Sequence, residues 1–162
     1  MLIDFYEFTM AHGYFEKGFK NQMVYFDLFF RKIPNQAGYA LMAGLESIVH
    51  YIENLSFTDE DIEYLRKRGV FSDAFLEYLR NFRFTGDLYA VKEGTAIFPN
   101  EPIITVRANA VEAQLIETYL LLAINHQSLI ATKASRIKDA ARGRTVIEMG
   151  ARRAHGTSSA NL

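Results

Sequence analysis

The chain has 162 residues, of which 49% are hydrophobic, so it is long enough to bury one ordinary core and is not a disordered tail. Its formal net charge of -1 excludes a general electrostatic attraction to nucleic acid, so any recognition of anions requires a local cluster of charge. The absence of cysteine excludes disulfide bonds and thiolate metal sites, which fits a reducing compartment.

The first half of the sequence predicts a helix, a strand and a short strand-helix unit. Residues 3–17 place apolar side chains at spacings of three and four, which is typical of a helix. The stretch MVYFDLFFR, residues 23–31, is rich in strand-forming residues, and a loop is predicted over 33–38. Within residues 39–55 a short strand, Gly44 and a helix are expected.

The middle of the sequence predicts two short helices and a group of strands. SFTDEDIEYLRKRG contains Thr58 with Asp61 three residues later, which is the pattern of a capping box, and Gly69 ends this helix. A second helix is predicted over 72–82. Strands are then expected near 87–91, 95–98 and 103–107.

The last part of the sequence predicts a long helical segment and the opening of a strand-helix series. One helix or two run from Val111 to Ala140, RTVIEMG over 144–150 predicts a strand, and TSSANL predicts a new helix. The fold class is therefore α/β, with an α+β N-terminal domain over 1–110 and a linking helix with the start of a further unit over 111–162. One such unit cannot bury its own faces, so we expect an N-terminal piece of a larger, enzyme-like protein.

No stretch of the sequence has the pattern of a signal peptide or a membrane span. MLIDFYEFTM has no basic residues and carries Asp4 and Glu7 within its apolar run. The most apolar later stretch, LIETYLLLAINHQSLIA, is interrupted by polar residues. We therefore expect a soluble, cytoplasmic protein that binds neither membranes nor nucleic acid.

The stretch EMGARRAHG places two adjacent arginines directly after the predicted strand. Ligands of α/β proteins bind beyond the carboxyl ends of strands, and two guanidinium groups near a helix N-terminus suit a phosphate or a carboxylate. Arg152 and Arg153 are therefore candidate anion ligands, although a surface pair bridging to nearby acids explains the spacing equally well. For His155 in the same stretch, packing is the simpler interpretation.

Three other features are weaker indications of a site. Tyr6 in DFYEFT can stack on a planar ligand, although an aromatic stripe buried by a helix explains the pattern more simply. Thr85 and Gly86 in RFTGD can bind phosphate, but no acidic pair precedes them and no GxGxxG or P-loop occurs. The four histidines include no pair at metal-ligand spacing, so no metal site is predicted.

Together, several stretches resemble the N-terminal part of nicotinate phosphoribosyltransferases, which belong to the type II phosphoribosyltransferases. They include, in family order, LIDFYEFTMAHGYF, YFDLFFRKIP, GYALMAGLE, FLEYLRNFRFTGDLYAVKEGTAIFPNEPIITV, INHQSLIATKASRI and RRAHG. The resemblance implies an N-terminal α/β domain packed on an irregular α/β barrel whose first strand is TVIEM. It further implies ATP- and magnesium-assisted condensation of nicotinate with phosphoribosyl diphosphate in NAD biosynthesis, by a homodimer with its active site at the interface.

The resemblance assigns substrate-binding roles to five residues. Tyr6 matches the family tyrosine that stacks on the pyridine ring, and Asp4 lies in the same motif. Arg152 and Arg153 match arginines after the first barrel strand that face the phosphates or the carboxylate of the ligands. Met149 stands where the family usually has Phe, so it can pack against a ring edge but cannot stack.

The resemblance assigns no catalytic residue to this chain. The phosphorylated histidine of the family lies in a GT.AHS loop beyond Leu162, and His155 belongs to a different motif, so the chain alone is expected to be inactive. Two alternatives stay open at this point: a nicotinamide phosphoribosyltransferase, which the arginine pair and FPNEP disfavour, and a non-catalytic, truncated dimerisation fragment.

Overall fold

The computed structural model describes residues 2–34 and 37–160. Its helices are, in chain order, α1 (Phe5–Glu16), α2 (Leu45–Asn54), α3 (Asp59–Lys67), α4 (Asp73–Arg80), α5 (Ala110–Leu115), α6 (Glu117–Ala141) and α7 (Thr157–Ala160). Its strands are β1 (Met23–Leu28), β2 (Ala40–Leu41), β3 (Asp87–Ala90), β4 (Ala96–Ile97) and β5 (Ile104–Asn109). The predicted mixture of helix and sheet is confirmed.

The larger sheet has three antiparallel strands in the order β1-β5-β3. In β5, buried and partly buried residues alternate, so that Ile104, Val106 and Ala108 point into the core. Strands β2 and β4 form a separate antiparallel pair. One face of the sheet therefore packs against the core. The end of its edge strand β1 lies near the first turns of α6.

The core lies between this face of the sheet and the helices. Helix α1 packs on α5, and α2 packs on α6. The largest fully buried side chains are Phe8, Phe75, Met42, Ile48, Ile62, Leu65, Leu76, Leu79, Ile104, Leu115, Ile116 and Ile124. Because α1 and α6 both contribute to this core, residues far apart in sequence are held against each other at the N-terminal ends of the two helices.

The predicted helix starts are confirmed in detail at α3. Thr58 Oγ1 accepts a hydrogen bond from the Asp61 N–H at 3.2 Å, and Asp61 Oδ2 accepts one from the Thr58 N–H at 2.9 Å, which completes the capping box. The long helical segment divides into two helices, because α5 ends before Ile116 and α6 begins directly after it.

The strand predicted over 144–150 is wrong. These residues have no regular secondary structure, and no described strand pairs with them. A strand needs a neighbour for its backbone hydrogen bonds, and without one the apolar side chains of Val146, Ile147 and Met149 stay exposed. Arg152 and Arg153 consequently lie in a 3₁₀ turn and not at a strand end.

Two predicted segments extend beyond the part of the chain that the structure describes. Residues 35–36 of the loop predicted over 33–38 lie outside the described part of the chain, and so do the last two residues of TSSANL. A helix does begin at Thr157, as predicted. None of the described helices combines the length and the apolar character that crossing a bilayer requires.

Candidate ligand-binding groove

A groove lies where the N-terminus of α1, the end of β1 and the first turns of α6 meet. It consists of two adjoining cavities of about 420 and 460 Å³, which share Leu28, Phe29, Arg31 and Leu121. The first cavity is also lined by Asp4, Tyr6, Phe30, Thr118, Leu122, Ile124 and Asn125. A mostly apolar groove of this size with a few polar groups suits a small planar ligand.

Tyr6 lines the groove from the first turn of α1. Its side chain is 45% exposed, and its hydroxyl donates a hydrogen bond to Glu117 Oε1 at 2.9 Å. Glu117 is itself held by Gln114, whose Nε2 donates to Oε2 at 2.8 Å. Partial burial and the hydrogen bond to Glu117 raise the pKa of Tyr6 to about 12, so the phenol stays protonated. The ring is thus anchored at its hydroxyl while much of its surface stays accessible.

Asp4 precedes α1 and lines the same cavity. Its backbone is extended, and its N–H donates to Thr118 Oγ1 at 3.2 Å, which ties the start of α1 to α6. The groove therefore carries an acidic side chain from Asp4 and a basic one from Arg31.

Glu7, which sequence reasoning did not select, lies behind this wall. It is completely buried, and its Oε1 accepts hydrogen bonds from both the N–H, at 2.9 Å, and the hydroxyl of Thr118. Burial raises the pKa of Glu7 to about 7; the hydrogen bonds from Thr118 oppose this rise, and the charges of Glu117 and Asp4 add to it. The only sequence signal was an acid within the aromatic stripe of a predicted helix.

The structure brings together only two of the five predicted site residues. Asp4 and Tyr6 lie in one cavity, whereas Met149, Arg152 and Arg153 are exposed and are not among its lining residues. Met149 is 77% exposed. The substrate-binding roles of all five residues stay predictions.

The Thr-Gly pair of RFTGD has a structural role in place of the phosphate-binding one considered from the sequence. The N–H and the hydroxyl of Thr85 donate to the buried carboxylate of Glu112 at 2.8 and 3.0 Å. A Cβ on Gly86 would lie 2.5 Å from the Cβ of Ala108, so the glycine allows close packing against β5. A buried carboxylate at this position would repel a phosphate.

Within residues 2–34 and 37–160, no group of three or more histidine, aspartate or glutamate side chains is arranged to hold a metal ion. The magnesium that the resemblance implies has no protein ligand set in this part of the chain.

Comparison with known proteins agrees with the resemblance. Residues 1–125 match the family described as the nicotinate phosphoribosyltransferase (NAPRTase) N-terminal domain. A nicotinate phosphoribosyltransferase of Mycobacterium tuberculosis is 48% identical over 160 residues, which cover 99% of this chain and 34% of the relative. One of Bacillus subtilis is 48% identical over 157 residues, which cover 97% of this chain and 32% of the relative.

A solved structure is similar over nearly the whole chain. The crystal structure of human nicotinic acid phosphoribosyltransferase has a TM-score of 0.90 at 34% identity, covering 98% of this chain and 33% of the human chain. The present chain thus spans about a third of the length of the relatives that it matches.

Proposed function

The chain belongs to the family of nicotinate phosphoribosyltransferase N-terminal domains, and from this premise we propose that it supplies that domain to an enzyme that makes nicotinate mononucleotide. The substrates are nicotinate and phosphoribosyl diphosphate, with ATP as the assisting nucleotide and diphosphate as the second product. The names of the relatives support nicotinate over nicotinamide as the substrate.

The observation that carries this proposal is the anchored, accessible ring of Tyr6 in the groove. One face of the nicotinate ring packs against Tyr6, while the hydrogen bond to Glu117 keeps the phenol from rotating away. The pyridine nitrogen then attacks the anomeric carbon of phosphoribosyl diphosphate, and the bond from that carbon to the diphosphate oxygen breaks.

This reaction moves positive charge onto the pyridine ring as the new bond forms. The negative face of the Tyr6 ring and the carboxylate of Asp4 are both suited to stabilise the developing pyridinium. The two side chains therefore act on a charge that is larger in the transition state than in free nicotinate, which is the requirement for catalysis by binding.

We assign the anionic groups of the substrates to Arg152 and Arg153, with Met149 packing against a ring edge. The support is the RRAHG motif and the geometry of guanidinium groups, which suits phosphates and carboxylates. This assignment requires the segment that carries the arginines to lie closer to the groove in the active enzyme than it does in this structure. A homodimer with its active site at the interface completes the proposal.

The proposal is tested with a chimeric enzyme. The matching N-terminal part of the Bacillus subtilis relative is replaced by these 162 residues, and nicotinate mononucleotide formation is measured. We expect the chimera to be active, and Tyr6→Ala to raise its KM for nicotinate by a factor that corresponds to about 1 to 2 kcal/mol. The matched control is Tyr64→Ala, since Tyr64 is similarly exposed, at 46%, but lies on α3 away from the groove.

Two results would contradict the proposal. One is a folded chimera that forms no product. The other is an active chimera in which Tyr6→Ala and Tyr64→Ala have the same KM for nicotinate.

A further inference from the structure

We propose that Glu7 is a positioning residue whose buried carboxyl holds Asp4 and Tyr6 in place for the pyridine ring through Thr118. This inference rests on the proposed function, since it assigns a role to a residue that does not touch the substrate. Neither the sequence motif nor the resemblance indicates a role for Glu7.

The first step is a chain of hydrogen bonds from the core to the groove. Glu7 Oε1 accepts from both the N–H and the hydroxyl of Thr118. Because the Thr118 hydroxyl proton points to Glu7, a lone pair of the same oxygen is free to accept the Asp4 N–H at 3.2 Å. Glu7 thus determines the orientation of the hydroxyl that fixes the residue before α1.

The second step connects this chain to the ring of Tyr6. The residue next to Thr118 on α6 is Glu117, which accepts the hydrogen bond of the Tyr6 hydroxyl. Thr118 and Glu117, which are adjacent on α6, therefore hold Asp4 and Tyr6 at the start of α1. The buried carboxyl of Glu7 binds Thr118 directly. A shift of α1 relative to α6 would displace both groove residues together.

The third step concerns the other oxygen of the carboxyl. Among the described residues, Glu7 Oε2 and the Tyr51 hydroxyl are both buried without a hydrogen-bond partner. The Tyr51 ring stacks on Tyr119 at 3.8 Å, with the two planes 5° apart, so it is held firmly beside α6. A carboxylate at this position would leave a buried oxygen without a hydrogen-bond donor, which favours the neutral carboxyl.

The charged groups around Glu7 favour the same neutral state. Asp4, which directly precedes α1, and Glu117 on α6 are the charged side chains that act on it, and both are acids. The other titratable groups that interact with it among the described residues are the tyrosines Tyr6 on α1 and Tyr51 on α2. Burial and these acids raise the pKa of Glu7 to about 7, so the carboxyl changes charge within the range in which enzymes are assayed.

The experiment has a first arm that needs no substrate. Amide NMR of the 162-residue chain between pH 5 and 9 reports on the two backbone N–H groups of the hydrogen-bond chain. We expect the Thr118 amide signal to titrate with a midpoint near the pKa of Glu7, and this titration to disappear in Glu7→Gln. In Thr118→Val, which keeps the side-chain volume, the Asp4 amide should exchange with solvent faster than in the unchanged chain.

The second arm measures the KM for nicotinate of the chimeric enzyme as a function of pH. From pH 6 to pH 8.5 we expect KM to rise about tenfold more in the unchanged chimera than in Glu7→Gln, which imitates the neutral carboxyl. Glu7→Ala should raise KM throughout this range, and kcat should change less than KM in both variants. The matched control is Glu112→Gln, since Glu112 is also a buried glutamate but binds Thr85 away from the groove.

The outcomes separate this inference from the proposed function. If the Thr118 amide does not respond to Glu7→Gln, or if that variant keeps the pH dependence of KM, the role of Glu7 is wrong even where Tyr6→Ala raises KM. If Tyr6→Ala leaves KM unchanged, the proposed pyridine site is wrong, and the NMR arm still decides whether Glu7 orients Thr118.

Discussion

Tyr6 and Glu7 are neighbours in sequence but have opposite environments. A helix turns by about 100° per residue, so Tyr6 faces the groove while Glu7 faces the core. The pattern of DFYEFT alone favours a buried aromatic stripe, and it is the family resemblance of this motif that makes Tyr6 a candidate. Glu7 could not be selected in that way, because its partner Thr118 is 111 positions away in sequence and no local pattern predicts that contact.

The raised pKa of Glu7 predicts how the stability of the chain depends on pH. The usual pKa of 4.5 applies to the unfolded chain and a value of about 7 to the folded one, so the folded state binds the proton more tightly. Stability should therefore fall as pH rises from about 4.5 to about 7 and should then level off. The total contribution is about 3 kcal/mol, at about 1.4 kcal/mol for each unit of pKa difference.

Urea unfolding at pH 5 and pH 8 measures this contribution. We expect the loss of stability between these two values to be smaller by about 2 kcal/mol or more in Glu7→Gln than in the unchanged chain. Equal losses in the two proteins would mean that Glu7 does not titrate with a raised pKa.

The two exposed arginines test whether charge or geometry matters for anion binding. Replacing Arg152 or Arg153 with Lys keeps the charge but removes the planar pair of donors. In the chimeric enzyme, we expect each change to lower kcat/KM by at least about tenfold, the scale of one lost charge-assisted hydrogen bond. The control is Arg68→Lys, since Arg68 is an exposed residue at the end of α3. Full activity of both Arg152→Lys and Arg153→Lys would show that these two arginines are only surface charges.

At the scale of elements, local signals predicted most of the fold. Spacing, caps and glycine positions predicted α1 to α4, the strands β1 to β5 and the long helical segment, and the structure confirms all of these. The failure at 144–150 has a different cause, because a strand depends on hydrogen bonds from another segment. The sequence pattern of residues 144–150 shows that they suit a strand but cannot show whether a neighbour is present.

The capping box of α3 gives a prediction at this scale. Thr58→Ala removes the acceptor of the Asp61 N–H and the hydroxyl that donates to Asp61 Oδ2, so we expect the free energy of unfolding to fall by about 1 kcal/mol. Ser56→Ala serves as the control, since Ser56 is exposed and precedes the cap by two residues. Equal stabilities of the two variants would show that the capping box contributes nothing measurable.

At the scale of the whole molecule, the rim of the groove is an exposed apolar surface. Tyr25, Phe29, Leu121 and Leu122 are each more than 40% exposed and all line the two cavities. Patches of this kind favour association, and the arginines assigned to the phosphates lie outside the groove in this chain. We therefore expect the 162-residue chain to associate and to form no nicotinate mononucleotide by itself.

Light scattering after gel filtration tests the association. We expect the double change Leu121→Lys and Leu122→Lys to shift the chain towards the monomer, whereas Val70→Lys, at an exposed apolar position outside the groove, should not. A monomeric unchanged chain at concentrations of about 100 μM would contradict this expectation, and product formed by the chain alone would contradict the predicted inactivity.

The central claim is that the groove beside Tyr6 binds the pyridine ring. A crystal structure of the chimeric enzyme with nicotinate tests it most directly. We predict the ring of nicotinate against the face of Tyr6, with ring centroids about 4.5 to 7 Å apart, and with the Tyr6 hydroxyl still bound to Glu117. Nicotinate bound in another cavity, with no contact to Tyr6, would contradict the claim.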